Sequence, residues 1–382
     1  MPARGSSTRA ADPHPRRVTG LRRAMSRAGV DLLLVTDPVD VAYLTGFLGG
    51  DSYLLVGPSG KPEIISDSRY EEELGHFSAL RLRLRLGSIL DEVASALAEA
   101  GLGAKGRKQH VGVQGEHLTL VQHVSLRTAM KKRKLAADSV RTVSNIVADL
   151  RAFKDEHEIK LLTRAIRIQQ AALEATLETI DAGQTELEIC AELEYQMKSR
   201  GSTDPSFATI IAAKANGSLP HYSPASVKTA NNKTLLIDWG AVFAGYHGDM
   251  TRTFALGKWP KQLAEVYDVV LEAHEKAAAL LAPGVRCRDV DSAARDHITA
   301  AGYGRLFGHG LGHGIGLRVH ESPRLSQLAG DETLKPGHVV TIEPGVYLPG
   351  VGGVRIEDDY AITERGAKNL CTLPKTRRWA TL

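Results

Sequence analysis

Two stretches of the chain, each with a pair of acids between apolar runs, constrain its fold more than any other feature. They are residues 235–254, LLIDWGAVFAGYHGDMTRTF, and residues 339–363, VVTIEPGVYLPGVGGVRIEDDYAIT. In each stretch one acid precedes a glycine at the end of an apolar run, and the other lies on a second run that returns after a turn. These acids are Asp238 and Asp249 in the first stretch and Glu343 and Glu357 in the second. The pattern predicts two β-hairpins with acids on facing strands.

The acids of these hairpins are predicted to hold metal ions. The flanking runs LLI and VVTI are typical of buried strands, which disfavours the alternative of four solvated surface acids. Buried carboxylates that lie close together repel one another unless cations lie between them. The two hairpins therefore predict one metal site lined by carboxylates.

A glycine-rich segment between the hairpins, residues 308–321 (GHGLGHGIGLRVHE), adds three histidines, His309, His313 and His320. Its glycines allow the backbone to approach a site closely. An imidazole added to four carboxylates gives a ligand set that suits Mn²⁺, Co²⁺, Fe²⁺ or Zn²⁺. Two ions about 3.5 to 4 Å apart balance the negative charge better than one ion and activate water for hydrolysis.

A fourth histidine, His221, lies in the sequence LPHY shortly before the first hairpin. Together with His320 it provides two imidazoles that can contact a substrate amide and its tetrahedral oxyanion without binding metal. The residues alone therefore predict a metal-dependent hydrolase.

The length of 382 residues predicts two domains. Residues 1–16, rich in Arg, Ser, Ala and Pro, are predicted to be a disordered leader. Alternating strands and helices predict an α/β domain over residues 17–152, in which the arginines of the LRLRLRL segment face solvent. A long helix with apolar residues at helical spacing over residues 155–180 opens an α+β domain, residues 153–382.

Composition excludes several other classes of protein. A net charge of +4 is small for this length and does not predict a nucleic-acid partner. Three scattered cysteines do not form a disulfide framework, which fits a reducing compartment. The chain has neither 18 consecutive apolar residues nor the apolar core of a signal peptide, so we predict a cytoplasmic protein without a membrane partner.

The combined motifs resemble a known family. IDWG, GDMTRTF, GHGIG, TIEPG and RIED together are similar to the motifs of the M24 "pita-bread" metallopeptidases. DLLLVTDPVDVAYLTGF and ISDSRY resemble the creatinase-type N-terminal domain of the branch that acts on prolyl peptides, and RAFKDEHEIKLLTRA resembles the helix that opens its catalytic domain. The resemblance covers most of the chain and implies an α/β N-terminal domain followed by an α+β pita-bread domain.

The resemblance also implies the metal ligands. Asp238 would bind one ion, whereas Asp249 and Glu357 would bridge both ions. His313 and Glu343 would complete the shell of the second ion. Glu343 would also accept and donate a proton while a hydroxide that bridges the metals attacks the scissile carbonyl.

Substrate contacts follow from the same resemblance. His221 and His320 would bind substrate and stabilise the tetrahedral intermediate. His309 would line the substrate pocket, and Tyr347 and Arg355 would lie close to the outer shell of the metals. One departure is Arg318, which stands where relatives usually carry Glu or Asp; it leaves the ligand set intact and its role is open.

The implied activity is that of a Xaa-Pro aminopeptidase, which removes the residue that precedes proline at the N-terminus of a peptide. Two divalent ions, with Mn²⁺ expected and Co²⁺, Zn²⁺ or Fe²⁺ as alternatives, and a homodimer are implied as well. The alternative is a Xaa-Pro dipeptidase (prolidase), which needs a cation for the free carboxylate of its substrate; Arg69, Arg81 and Arg318 are candidates. A metal-free, creatinase-like or binding relative is disfavoured because the ligand set is complete.

Overall fold

The computed structural model describes residues 12–102 and 109–382, and the chain divides into two compact units between Arg151 and Ala152. Residues 1–11 of the predicted leader lie outside the described residues. The first helix begins at His14, so the prediction of a leader that extends to residue 16 is wrong for its last residues. Two prolines do not prevent this helix, because Pro13 is its N-cap and Pro15 lies in its first turn, where no backbone N–H is needed.

The N-terminal unit is built on one six-stranded mixed sheet with the strand order β4-β3-β2-β1-β5-β6. Strand β1 is central and fully buried, as its sequence LLLV predicts. The pairs β1–β2 and β2–β3 are antiparallel, and the remaining pairs are parallel. The elements are α1 (His14–Arg27), β1 (Leu32–Val35), α2 (Pro38–Thr45), β2 (Tyr53–Val56), β3 (Glu63–Ser66), α3 (Glu71–Gly75), β4 (Arg81–Leu84), α4 (Ile89–Glu99), β5 (Val111–Gln114), α5 (Leu120–Lys132), β6 (Val140–Val143) and α6 (Ala148–Arg151).

The C-terminal unit alternates pairs of helices with antiparallel strands, and the α+β prediction for it is confirmed. The long helix predicted at its start is α7, which begins after a capping box formed by Asp155 and Glu158. The elements are α7 (Glu156–Leu177), α8 (Glu186–Ser199), β7 (Ile210–Ala213), β8 (Lys233–Trp239), β9 (Val242–Phe243), β10 (Tyr246–His247), β11 (Met250–Leu256), α9 (Lys261–Ala279), α10 (Cys287–Ala300), β12 (Gly312–Gly314), β13 (Glu321–Leu325), β14 (Val339–Ile342), β15 (Gly345–Leu348), β16 (Gly352–Arg355), β17 (Asp358–Thr363) and β18 (Gly366–Asn369).

Both predicted hairpins are present, and they have the same construction. In the first ribbon, β8 pairs with β11, and the short hairpin β9–β10 lies between them in the chain. In the second ribbon, β14 pairs with β17, and the hairpin β15–β16 lies between them. The first ribbon continues into a sheet with the order β11-β8-β7, and the second into a sheet with the order β13-β12-β14-β17-β18.

One fully buried arginine, Arg252 on β11, joins the two ribbons. Its guanidinium reaches the second ribbon through the carbonyl oxygen of Glu357, at 2.6 Å, and Oδ1 of Asp358, at 2.7 Å. It also donates to the carbonyl oxygens of Thr251, Leu373 and Pro374. A buried guanidinium is stable only when such partners replace water, so loss of the partners on the second ribbon would leave a buried charge uncompensated.

Among the described residues, no helix combines the length and the apolar character needed to cross a membrane.

Candidate metal centre

The four predicted acids lie at equivalent places in the two ribbons. Asp238 lies in β8, and Asp249 immediately precedes β11; Glu343 immediately follows β14, and Glu357 immediately precedes β17. All four are buried or largely buried. Where the ribbons meet, the N–H of Glu357 donates to the carbonyl oxygen of Thr251 at 3.1 Å. Each ribbon therefore contributes two carboxylates to one buried region.

His313 on β12 joins these carboxylates. One ligand atom each from His313, Asp249 and Glu357 lies within 4.8 Å of the others, a grouping that can hold a metal ion. Nε2 of His313 is 3.7 Å from Oδ2 of Asp249 and 3.4 Å from Oε1 of Glu343. Its Nδ1 is 3.1 Å from the carbonyl oxygen of Gly314, which can only accept, so Nδ1 carries the proton. The lone pair of Nε2 therefore faces carboxylate oxygens.

Asp238 is held by a chain of polar groups. Nη2 of Arg355 donates to Oδ2 of Asp238, and Nη1 donates to the hydroxyl oxygen of Tyr347 at 2.7 Å. The Tyr347 hydroxyl is 2.9 Å from Nε2 of His309. Nδ1 of His309 lies 2.8 Å from the carbonyl oxygen of Gly310 and donates to it, so Nε2 accepts from Tyr347. His309, Tyr347 and Arg355 thus form one hydrogen-bonded series that ends on a predicted metal ligand.

Burial and mutual repulsion raise the pKa of the acids. Burial raises the pKa of Asp249 well above its usual range, and Glu357 and Asp238 add to this. Burial also raises the pKa of Glu357 well above its usual range, with Glu343 and Asp238 adding to it. The pKa of Glu343 rises to about 8 because it is buried. Burial likewise raises the pKa of Asp238, although Arg355 opposes the shift. Ionised acids in this region need compensating positive charge.

Divalent ions fit this environment. Oδ1 of Asp238 is buried and has no hydrogen-bond partner among the described residues. Burial lowers the pKa of His313 to about 4, which keeps the imidazole in the neutral form that binds metal. An unsatisfied carboxylate oxygen, an imidazole lone pair and clustered acids are the donors expected for Mn²⁺, Co²⁺, Fe²⁺ or Zn²⁺. The residues that would hold the ions are Asp238, Asp249, His313, Glu343 and Glu357.

The remaining predicted residues lie around this cluster. The ring of His320 packs edge-on against the ring of His313, with centroids 4.4 Å apart. His221 is exposed, and its charge influences the pKa of Asp238, His309 and His320, which places it at the same site. The structure therefore brings all ten predicted residues to one region, and their individual roles remain predictions.

Sequence reasoning missed several residues of the site. The hydroxyl of Thr251 donates to Oε2 of Glu357 at 2.7 Å, and that of Thr341 lies 3.4 Å from Oε1 of Glu343. Both threonines are two residues from a predicted acid, so strand alternation could have identified them. Arg324 on β13 lies opposite His313 in the strand register and is exposed, and no sequence signal distinguishes it.

Comparisons with known proteins identify the family of the chain. Residues 160–364 match the metallopeptidase family M24, and residues 17–153 match the creatinase/prolidase N-terminal domain. The Xaa-Pro dipeptidase of Pyrococcus furiosus is 34% identical over 360 residues, which cover 93% of this chain and 97% of that protein.

Solved structures give the same result. The Xaa-Pro dipeptidase from Bacillus anthracis has a TM-score of 0.90 at 35% identity, with 97% of this chain and 100% of that chain covered. The X-Pro aminopeptidase from Thermotoga maritima has a TM-score of 0.83 at 32% identity, with coverage of 93% and 99%. The resemblance inferred from the sequence motifs is confirmed. The chain belongs to metallopeptidase family M24, and it is a peptidase with a creatinase-type N-terminal domain and a pita-bread catalytic domain.

Proposed function

We propose that this peptidase is a Xaa-Pro dipeptidase that uses two divalent ions, with Mn²⁺ as the expected metal. This activity, the alternative that the sequence implies, is favoured over that of a Xaa-Pro aminopeptidase because Xaa-Pro dipeptidases from Pyrococcus furiosus, Pyrococcus horikoshii and Bacillus anthracis are among its relatives. A homodimer and a cytoplasmic location remain predictions.

The observation that carries the proposal is the position of Arg324. A dipeptide has a free carboxylate one residue beyond the scissile bond, and a dipeptidase needs a cation there. Arg324 is exposed on β13, lies opposite His313, and its charge lowers the pKa of His320 together with burial. Among the described residues Arg324 forms no ion pair. Its guanidinium is therefore available to pair with a substrate carboxylate.

The residues of the site have separate tasks in hydrolysis. When bound, the ions supply Lewis acidity that activates water and polarises the scissile carbonyl. His320, packed against His313, donates a hydrogen bond to the carbonyl oxygen as negative charge develops on it. Glu343 holds the proton that passes to the leaving proline nitrogen. The series His309–Tyr347–Arg355 keeps Asp238 oriented.

A substrate panel tests the proposal. The manganese-loaded enzyme is assayed with Ala-Pro, with Ala-Pro-Ala and with the amide Ala-Pro-NH₂, which lacks the carboxylate. We expect Ala-Pro to be cleaved with a kcat/KM at least tenfold above the other two, since one charge-assisted pair contributes about 1.5 to 3 kcal/mol. Equal or faster cleavage of the tripeptide would favour a Xaa-Pro aminopeptidase, the activity named for the Thermotoga maritima structure.

A pair of matched variants locates the cation. Arg324→Met should raise KM for Ala-Pro about tenfold without changing kcat/KM for Ala-Pro-NH₂. Arg318→Met, the same change at an exposed arginine in the glycine-rich segment 308–321, should leave the cleavage of both substrates unaffected. The reverse pattern would assign carboxylate binding to Arg318. Metal analysis gives an independent check, because a protein that binds no transition metal and is not activated by Mn²⁺ would have to be a metal-free relative.

A further inference from the structure

A buried carboxylate outside the metal cluster, that of Glu186 on α8, is attached to the segment that carries His221. Glu186 is the first residue of α8 and has no exposed surface. Its Oε1 accepts from the N–H of Ala213 at 2.7 Å and from Nδ2 of Asn216 at 2.9 Å. Its Oε2 accepts from the hydroxyl of Tyr222 at 2.8 Å and from the N–H of Ala225 at 3.1 Å. All four donors belong to one segment, residues 213–225, which we call the His221 loop.

Such a carboxylate is costly unless it is fully hydrogen-bonded. An ionised group without water needs several donors in place of hydration, and the His221 loop supplies four. The N-terminus of α8, capped separately by Thr185, adds a favourable dipole. Because the donors lie near both ends of the loop and in its middle, Glu186 fixes the conformation of the whole loop.

The loop lies over the strand that carries a predicted metal ligand. The ring of Tyr222 packs against Ile210, Ala212 and Leu236. Leu236 is two residues before Asp238 on β8, and Ile210 is opposite Asp238 in the register, so these side chains share one face of the sheet. Tyr222 is therefore anchored on the face of the sheet that carries Asp238, and His221 precedes it in the chain.

Close packing of backbone against β16 also holds the middle of the His221 loop. A Cβ at Gly217 would come within 3.1 Å of the backbone nitrogen of Gly353 on β16, and a Cβ at Gly353 would come within 2.1 Å of the carbonyl oxygen of Gly217. Backbone therefore packs on backbone here, which only glycine allows. The loop is fastened to β16 in its middle and to Glu186 at both ends, and His221 lies between these attachments.

We propose that Glu186 is a positioning residue for hydrolysis: its carboxylate holds the His221 loop so that His221 reaches the substrate at the metal centre. The inference rests on the proposed function, because it assigns to Glu186 an effect that passes through His221. It predicts that the loss of Glu186 matters for turnover only while His221 is present.

The experiment is a double-mutant cycle in the full-length, manganese-loaded protein with Ala-Pro as substrate. Glu186→Gln places an amide NH₂ against loop donors and should lower kcat by about 10- to 100-fold, as a misplaced catalytic contact does. The Mn²⁺ affinity measured by calorimetry should stay within about twofold, since no ligand is altered. Glu186→Gln combined with His221→Ala should be no more than about twofold slower than His221→Ala alone. If the two single substitutions lowered kcat by factors that multiply in the double variant, the proposal would be overturned.

A matched control and a second readout separate positioning from stability. Glu188→Gln makes the same change two residues later, in the exposed capping box of α8, and should leave kcat unchanged. Amide hydrogen exchange should be faster across residues 213–225 in Glu186→Gln and unchanged in Glu188→Gln. If exchange across residues 213–225 were as slow in Glu186→Gln as in Glu188→Gln, Glu186 would not anchor the loop, whatever the kcat of the variant.

Three further outcomes are distinguishable. If Glu186→Gln does not fold, Tyr222→Phe removes one donor and leaves the ring packing intact, and it should show the same non-additivity with a smaller loss. If His221→Ala retains full activity, the proposed role of His221 fails and the positioning role fails with it. If the wild-type protein does not cleave Ala-Pro, the proposed function fails, and the exchange data still decide whether Glu186 anchors the loop.

Discussion

Thr251 on the first ribbon donates a hydrogen bond to Glu357 on the second, with 2.7 Å between Oγ1 and Oε2. The same hydroxyl accepts from Nε of Arg355 at 3.0 Å. A single hydroxyl proton thus orients one predicted bridging ligand, while the oxygen fixes the arginine that holds Asp238. The two ribbons are coupled in the layer directly behind the ligands.

Thr251→Val should therefore weaken metal binding although Thr251 is not a ligand. The substitution conserves shape but leaves Glu357 without this donor and Arg355 without this acceptor. We expect an Mn²⁺ affinity about 10- to 100-fold lower, measured by calorimetry. Thr253→Val, on the same strand, is the control and should lower stability but not affinity, because the Thr253 hydroxyl bonds the backbone carbonyl oxygen and N–H of Arg355. Unchanged affinity in Thr251→Val would contradict the assignment.

Asp249→Asn should stabilise the metal-free protein and abolish its response to metal. Burial, together with Glu357 and Asp238, raises the pKa of Asp249, so at pH 7 its ionisation favours the unfolded chain. Removal of this charge should raise the Tm in EDTA by about 2 to 5 °C. Added Mn²⁺ should raise the Tm of the wild type but not of the variant.

The control is Asp268→Asn, an exposed acid paired with Arg377, which should behave as wild type in both conditions. A lower Tm in EDTA with a retained response to Mn²⁺ would mean that Asp249 is not a ligand.

His320→Ala should separate catalysis from metal binding. His320 packs against His313 but is not among the predicted ligands. We expect kcat to fall by about 10²- to 10³-fold, as for other oxyanion contacts, while Mn²⁺ affinity stays within about twofold. His157→Ala, at an exposed position on α7, controls for the loss of an imidazole. A variant with normal turnover would leave the metal centre intact but would remove His320 from the mechanism.

His338 should make the protein less stable as the pH falls. Its Nδ1 lies 3.3 Å from the backbone N–H of Lys335, and its ring packs on Phe153. Burial, with Lys154 and Lys335 nearby, lowers the pKa of His338 to about 4. Above about pH 6.5 the histidine is neutral in both states, and between pH 6.5 and 4 only the unfolded chain takes up the proton. Stability is therefore lost as the pH falls through this window.

The measurement is urea unfolding of the wild type and His338→Gln in EDTA at pH 7 and pH 5. Between these values the wild type should lose about 1 to 2 kcal/mol more of its unfolding free energy than the variant. The metal ligands titrate in both proteins and cancel in the difference. Parallel losses in the two proteins would show that His338 does not contribute.

The sequence predicts that the four acids of the ribbons lie together, because the signals for these acids are local in the chain. Each acid lies within two residues of a turn glycine or immediately before a strand. The residues around Asp238 or Glu343 therefore indicate both that the acid is buried and where the chain turns. Glu186 carries no such signal. Its four donors lie between 27 and 39 residues away in the chain, and an acid at the start of a helix normally faces solvent.

The LRLRLRL segment shows a different limit. Alternation correctly predicts a strand, β4, but the expectation that its arginines face solvent is wrong for Arg83, whose side chain is only 18% exposed. Its Nε donates to Glu63 on the neighbouring strand at 2.8 Å, and it also pairs with Glu99 on α4. Leu86, by contrast, is fully exposed. Periodicity separates two faces of a strand, but only the neighbouring elements decide which face is covered.

The hydrogen bonds of Arg252 also bear on how the enzyme acquires its cofactor. The hydrogen bonds of Arg252 join the two ribbons and involve no metal ion. A chelator should therefore remove the metal ions without unfolding the catalytic unit. Exchange of one metal for another then requires no refolding. The metal ion that the enzyme carries in a cell would then depend on the chemistry of its ligands and on which metals are available. A purified sample could have its metal removed by a chelator and replaced by another.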